Sequence, residues 1–356
     1  MTKKIELHFP LKVSDSSYYK NLIDYPPEGF EYVSTAKSGL IGNTFKRGTF
    51  RFVKSAIRRI FSSFSVSVPL YAKQTKFSPE FIHHFAHCIP KKSNGINFFL
   101  DIEGAWQLGI GELTPSSKKK ISKILSQDNC KAILPWTFFS RDGFVKEFPE
   151  LEHKVEVIRP AVPLMQTTKR VIDDENFMML FVARDFELKN GEYAAELMDS
   201  FIKNYKGNVK IQGVVVGTVS NKIKNKYPNL HYFDLMPKEQ LYKYYKMADV
   251  FVYPSPVDTF GFSIIEAMSF GTPTIAMKTF GTKSVHEIIV NGFNGMYFSE
   301  EDYTEGFVRT ITSLIEDREI WGLMSDNCLS TILYGPYSIK HRNKMLEGVL
   351  EKCMKK

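Results

Sequence analysis

The chain has 356 residues, too many for one ordinary domain and suited to two of about 150 to 200 residues each. With 43% hydrophobic and 24% charged residues it is globular in composition, and a net charge of +8 favours anionic partners: phosphates, anionic lipid or nucleic acid. Cys88, Cys130, Cys328 and Cys353 form no C-x-x-C pair and read as free thiols. The run from Met1 to Ile5 has no signal-peptide character, and no stretch of about 18 apolar residues exists to span a bilayer. Cytoplasmic residence is therefore expected.

The first half opens on a strand-like run at Ile5. Residues 46–64, KRGTFRFVKSAIRRIFSSF, mix basic and apolar residues: Phe52, Ala56, Ile60 and Phe64 share a helical spacing, as do Arg51, Lys54 and Arg58. Such a helix suits either an anionic membrane surface or an ordinary solvated basic face. No nucleic-acid motif accompanies the charge, so nucleic acid is not an expected partner. On a helix, His83 and His87 would stand at i and i+4, a metal-pair spacing, but His84 fills the place where an H-E-x-x-H enzyme needs its Glu. The histidines read instead as polar surface or cleft lining, and no metal is expected. Buried strands are predicted at Ile96–Leu100, Ala132–Leu134 and Val155–Ile158. After the first of these come Asp101 and Glu103, which read either as loop caps or as a D-x-D-like pair, although no true D-x-D occurs. Thr137, after Pro135 and Trp136, reads as a helix N-cap. Pro160-Ala161-Val162-Pro163 and the polar residues to Arg170 read as a linker. Two domains are expected, 1–162 and 163–338, with the last helix, about 339–356, packing back on the first.

The second half alternates strands and helices: Met178–Val182, Val209–Val216, Val250–Tyr253 and Thr274–Met277 as strands, Tyr193–Tyr205, Leu241–Met247 and Ile264–Phe270 as helices. Apolar strands separated by helices predict a doubly wound α/β domain that binds ligands beyond the C-terminal ends of its strands. Its most informative segment, ADVFVYPSPVDTFGFSIIEAMSFGTPTIA, spans residues 248–276. A strand leads through a turn into a helix, so the amides of Phe260, Gly261, Phe262 and Ser263 are expected to be unpaired and to favour a diphosphate. Glu266 lies about one turn into that helix and suits a ribose diol; Asp258 in the loop suits sugar hydroxyls.

Asp258 and Glu266, separated by seven residues and flanked by FG, EAM and GTP, resemble the E-x7-E motif of the group 1, or family 4, glycosyltransferases. Asp replaces the usual first Glu, and Thr259 replaces a Gly. A second match is LFVARDFELKNG at 180–191, similar to the family's V-G-R-x-x-x-x-K-G segment, whose Arg and Lys would here be Arg184 and Lys189. The stretch from Tyr232 to Pro237, with Phe233 and Leu235, falls where the family contacts a nucleobase, and His286-Glu287-Ile288 falls in its P-E-x-I element. The resemblance implies a GT-B fold of two doubly wound Rossmann-like domains facing a central cleft. It implies a retaining, metal-independent transfer from a nucleotide-sugar donor on the second domain to a glycan or lipid-linked acceptor on the first. Arg184 and Lys189 would stabilise the departing diphosphate, Asp258 would bind the donor sugar and Glu266 the ribose. Asp101 or Glu103 would face the cleft and orient the acceptor hydroxyl or take its proton, with His87 a further cleft candidate. A catalytically silent, sugar-nucleotide-binding relative is the alternative, and a GT-B epimerase or phosphorylase a third.

Overall fold

The computed structural model describes residues 2–10, 17–34, 67–74, 76–93, 95–168 and 170–355, so the basic–apolar segment 46–64 lies outside the described residues. The chain divides into two compact units: Met1–Ala161 together with Ile339–Lys356, and Val162–Ser338.

In the first unit, strands β1 (Lys3–His8), β2 (Phe30–Ser34), β4 (Ile82–Ala86), β5 (Phe98–Ile102) and β7 (Cys130–Pro135) form a parallel sheet in the order β2-β1-β4-β5-β7. Two short strands, β3 (Val68–Pro69) and β6 (Gly109–Ile110), pair antiparallel outside it. The chain leaves β1 on one side for β2 and returns on the other for β4, so the topological switch point lies between β1 and β4. Helices α1 (Ser17–Asp24), α2 (Pro115–Leu125) and α3 (Phe138–Glu147) belong to this unit. Thr137 caps α3, accepting from the Ser140 amide at 3.0 Å, as its place after a strand predicts. The final helix of the chain, Ile339–Met354, is anchored here by Arg342. This arginine is wholly buried and donates to the Asn21 carbonyl (3.2 Å) and to that of Tyr25, at the C-terminal end of α1.

In the second unit, β8 (Asn176–Val182), β9 (Lys210–Val216), β10 (Leu230–Phe233), β11 (Val250–Tyr253), β12 (Thr274–Lys278) and β13 (Gly295–Ser299) form a parallel sheet ordered β10-β9-β8-β11-β12-β13. Helices α4 (Gly191–Asn204), α5 (Asn221–Lys226), α6 (Lys238–Met247), α7 (Phe262–Met268), α8 (Tyr303–Glu316) and α9 (Arg318–Leu333) connect or cover the strands. Counted from β8, the order is 3-2-1-4-5-6, with the switch point between β8 and β11. The core strands are apolar along their length because parallel strands are covered on both faces. Phe177, Met179 and Phe181 of β8 pack with Val250 and Val252 of β11. At the N-terminal ends of these two strands Asp249 accepts from the Met178 amide (2.7 Å) and pairs with Arg318 (2.9 Å), which fastens the sheet at the end opposite the strands' C-termini.

Two expectations are corrected. Val155–Ile158 is not a regular strand: Pro149–Lys154 is a 3-10 helix, and the residues after it only border β7, with a bridge from Ile133 to Val155 and the Glu156 and Ile158 amides donating to the Ile133 and Pro135 carbonyls (3.0 and 3.2 Å). The histidines 83 and 84 lie not on a helix but in β4, where alternation sends them to opposite faces of the sheet. The apolar strand neighbours override the helical spacing.

Candidate functional site

In the second unit Arg184 and Lys189 follow β8 and Asp258 follows β11, neighbouring strands, whereas Phe233 ends β10, two strands from β8. Arg184 leaves the end of β8, is exposed, and makes no hydrogen bond or ion pair with a described residue. Lys189 lies on the turn before α4. The turn closes with Asn190 in the left-handed region (φ 57), a conformation that Asn tolerates better than most residues.

Lys189 Nζ is 2.7 Å from Asp258 Oδ2 and 2.8 Å from the Val257 carbonyl. The hydroxyl of Tyr253, the last residue of β11, also donates to Asp258 Oδ2. The other oxygen, Oδ1, accepts from the amides of Phe260 (3.1 Å) and Gly261 (3.2 Å). Burial opposes ionisation of Asp258, but the Lys189 charge, with hydrogen bonds from Lys189, Tyr253 and Phe260, holds its carboxyl below the usual range. Burial, and then the Asp258 charge, pushes the Tyr253 phenol well above its ordinary value, so Tyr253 is a neutral donor. The expectation of four unpaired amides is corrected here. Asp258 is short enough to fold back on its own turn and satisfies two of them, as Asx side chains do. The amides of Phe262 and Ser263 begin α7.

Gly261 makes this turn possible. It sits at φ 98, where a Cβ is disfavoured, and a Cβ there would meet Ile264 at 3.1 Å and Val285 and Ile288 at 3.4 Å. The segment 285–288, which contains His286 and Glu287, thus packs against the loop. Thr259, beside it, is half-buried. Glu266 lies on α7, largely buried, and pairs with Lys238 at the start of α6 (2.7 Å). Close to Lys238 in the chain, Phe233 and Leu235 keep their side chains exposed, and the Phe233 ring leans on Tyr244 at 5.0 Å.

In the first unit a second cluster surrounds Asp101. This residue belongs to β5 itself and is 0% exposed, so it is neither a loop cap nor able to touch a substrate. It accepts from His84 Nε2 (2.6 Å), Tyr19 OH (2.8 Å) and Trp136 Nε1 (3.0 Å). Burial opposes its charge, yet His87 and His84, with the hydrogen bonds from His84 and Tyr19, hold its carboxyl below the usual range. His87 follows β4 in the left-handed region (φ 53). Its Nε2 is 2.9 Å from Tyr19 OH and 3.6 Å from Glu103 Oε1. The accessible edge of the cluster is therefore His87 and Glu103, with Asp101 behind them. Sequence reasoning missed Tyr19, Tyr253 and Lys238. Only Tyr253, as the terminal residue of a strand entering the motif, carried a positional signal.

Residues 166–327 match the sequence profile of the group 1 glycosyl transferases. An uncharacterized glycosyltransferase of Haemophilus influenzae is 25% identical over 238 residues, 65% of this chain and 64% of that one. The UDP-Gal:alpha-D-GlcNAc-diphosphoundecaprenol alpha-1,3-galactosyltransferase of Escherichia coli is 25% identical over 217 residues, 57% of this chain and 53% of that one. The chain spans less than two thirds of the length of the first curated relatives it matches. Among solved structures, Anabaena HepE in complex with UDP and glucose superposes with a TM-score of 0.60 at 11% identity, over 98% of this chain and 99% of that one. The fold is that of the GT-B glycosyltransferases.

Proposed function

We propose, from the premise that residues 166–327 form a group 1 glycosyltransferase domain, that the chain moves a sugar from a nucleoside-diphosphate donor to a hydroxyl acceptor with retention of configuration. The observation that carries this reading is the pair of cations at the end of β8: Arg184, exposed and without a described partner, and Lys189, fixed by Asp258. Departure of a nucleoside diphosphate gathers negative charge on oxygen, and cations held in place stabilise that charge more in the transition state than in the ground state. Two such cations take the part that a metal plays elsewhere, so the transfer is metal-independent in this reading. The acceptor hydroxyl attacks on the face from which the diphosphate leaves, without a protein nucleophile.

Asp258 can reach a donor sugar only by giving up one of its four internal contacts, so we assign it to positioning Lys189 and the Gly261 turn. Glu266 accepts from the ribose diol, and Phe233 and Leu235 border the base. In the first unit, His87 orients the acceptor hydroxyl and the more accessible Glu103 receives its proton, with Asp101 positioning His87 through Tyr19. The names of relatives support the substrate class: HepE is seen with UDP and glucose, and the Escherichia coli enzyme is named for a UDP-sugar donor and a diphosphoundecaprenol-linked acceptor. A lipid-linked or free glycan acceptor, reached from the cytoplasmic face, completes the reading. The four buried free cysteines are compatible with that compartment. No helix among the described residues is long and apolar enough to cross a membrane, so surface contact is assigned to residues 46–64. Co-sedimentation with anionic but not zwitterionic vesicles, weakened when Arg51, Lys54 and Arg58 become Ala, tests that contact.

The donor assignment is tested by calorimetric titration of UDP, GDP, ADP and dTDP into the protein in EDTA, with a parallel series in Mg(II). Selective binding of one nucleotide without metal is expected. Glu266→Ala should weaken it by about tenfold or more, the worth of a charged hydrogen bond. No binding of any of the four by folded protein would sink the assignment. Asp258, replaced from Glu and bound up internally, also suits a silent sugar-nucleotide binder; release of free sugar or glycosylated product from the bound donor excludes it.

A further inference from the structure

On the face of the first sheet opposite Asp101, three side chains converge that the proposed transfer does not use. Glu6 and His8 stand two apart on β1 and share a face, and His83 of β4 lies directly across from Glu6 in the parallel register. All three are buried: Glu6 is 4% exposed, His8 2% and His83 0%. His83 Nδ1 is 2.9 Å from His8 Nε2 and 3.4 Å from Glu6 Oε2, which is 3.6 Å from His8 Nε2.

Few protons are available inside this cluster. His83 Nε2 is 3.0 Å from the Ser78 carbonyl, an acceptor only, so that nitrogen carries the N–H and Nδ1 of the neutral ring is a lone pair. Gln74 Nε2 holds the other Glu6 oxygen, Oε1, at 3.0 Å. Among the described residues, Glu6 Oε2 is buried and accepts no hydrogen bond, and His8 Nδ1 is buried without a hydrogen-bond partner. A carboxylate oxygen thus faces two imidazole nitrogens with at most one proton between the rings, an arrangement that is costly for a buried charge.

We infer that Glu6, His8 and His83 bind a Zn(II)-type divalent transition ion that fastens β1 to β4. The three donor atoms form a triangle with edges of 2.9, 3.4 and 3.6 Å. A tetrahedral ion with bonds of about 2.0–2.1 Å spaces its ligands by about 3.3 Å. Two nitrogens and one oxygen suit Zn(II) better than Mg(II) or Ca(II), which prefer oxygen alone. The outer partners fit as well: ligating histidines commonly give their second N–H to a carbonyl, as His83 does to Ser78, and Gln74 orients the carboxylate. The Phe77 ring stands edge-on to both imidazoles, 5.2 Å from His8 and 5.4 Å from His83, and shields the site. Three protein ligands leave the fourth tetrahedral position to water, and the ion ties β1 to β4 on the other side of the sheet from His87 and Glu103.

The test uses untagged full-length protein, so that no added histidines bind metal. Metal content is measured as purified, after dialysis against a chelator, and after reloading with Zn(II); a Co(II)-loaded sample reports geometry by its visible absorption. About one equivalent of Zn(II) should be retained, Co(II) should give the intense bands of tetrahedral coordination, and the melting temperature should fall by several degrees on chelation and return with Zn(II). Glu6→Gln, which keeps the side-chain volume, should lose the ion and melt at the same temperature with and without Zn(II). His83→Ala adds a second variant, read only for metal content if its fold is intact. Protein that takes up no Zn(II) and melts unchanged in its presence overturns the inference, and the cluster is then a proton-sharing one. Equal Zn(II) binding by Glu6→Gln overturns it too, since the ion would lie elsewhere.

Discussion

Lys189 Nζ stands 2.7 Å from Asp258 Oδ2, joining the end of β8 to the loop after β11 across 69 residues of sequence. The pair is about one-fifth exposed on each side, so its Coulomb attraction is only partly screened. The two halves differ in what they leave behind. Lys189→Ala removes one cation and should cost about 1–2 kcal/mol. Asp258→Ala also strips the acceptor from two amides and a buried tyrosine hydroxyl and should cost about 2–4 kcal/mol. Asp258→Asn on the Lys189→Ala background should recover part of the stability, because the lone carboxylate is gone, but none of the turnover. Urea unfolding of wild type, Lys189→Ala, Asp258→Asn and the variant carrying both measures the coupling; strictly additive costs would mean that the contact is idle.

Asp101 and Asp258 both have folded-state carboxyls held below the unfolded value of about 3.9. The unfolded chain therefore takes up protons first as pH falls. The stability each carboxylate contributes is complete above about pH 5 and drains away as pH drops through the folded-state values. Denaturation at pH 7, 5, 4 and 3 should show a plateau and then a decline of up to about 1.4 kcal/mol per pH unit for each titrating group. Asp101→Asn should be less stable at pH 7, since His84, Tyr19 and Trp136 lose a charged acceptor, and should show the shallower acid decline. An unchanged acid slope in Asp101→Asn would contradict the assignment of that carboxylate.

How much of the fold and site is legible in sequence depends on the range of the forces involved. The strands of the second unit could be read because a buried parallel strand is apolar at every position, as in the run from Phe177 to Phe181, and helices separate them. Asp258, Gly261 and Glu266 could be read because they lie within nine residues on one turn and one helix. The partnership of Lys189 with Asp258 could not, since nothing local says that β8 and β11 are neighbours; the strand order supplies that. The Asp101 cluster shows the same limit more sharply. His84 and His87 looked like a helical group because 83, 84 and 87 fit that spacing, yet the strand pairing of β4 with β1 and β5 decides their faces. Tyr19, which closes the cluster, comes from a helix about 80 residues away with no motif of its own.

Gly261 turns the chain into α7 at φ 98 with three apolar groups within 3.4 Å of where a Cβ would be. Gly261→Ala should cost about 1–2 kcal/mol from backbone strain. By displacing the amides beside Asp258, it should also weaken nucleotide binding several-fold. Gly292→Ala is the matched control: φ is 76 there as well, but the space around it is open, so strain alone remains. Both variants should melt lower than wild type, and only Gly261→Ala should show a raised dissociation constant in the nucleotide titration. Loss of binding in both would trace the effect to general destabilisation.

His87 is held at φ 53, a conformation costing a non-glycine residue about 1–2 kcal/mol, and it directs the imidazole toward Tyr19 and Glu103 at the end of β4. Asn enters the left-handed region more readily than other side chains and removes the imidazole, so His87→Asn separates backbone from chemistry. This variant should melt close to wild type and bind nucleotide unchanged, because the donor residues lie in the other unit. Its turnover with acceptor should fall by about tenfold or more, as for loss of a group that orients the acceptor. His87→Ala suffers the same chemical loss and melts lower, since Ala resists that φ. Glu103→Gln should reduce turnover with little change in melting, for its carboxylate is the most accessible of the cluster. Wild-type turnover in His87→Asn would make the Asp101 cluster a buried polar brace, and the group that orients the acceptor would have to be sought among other residues.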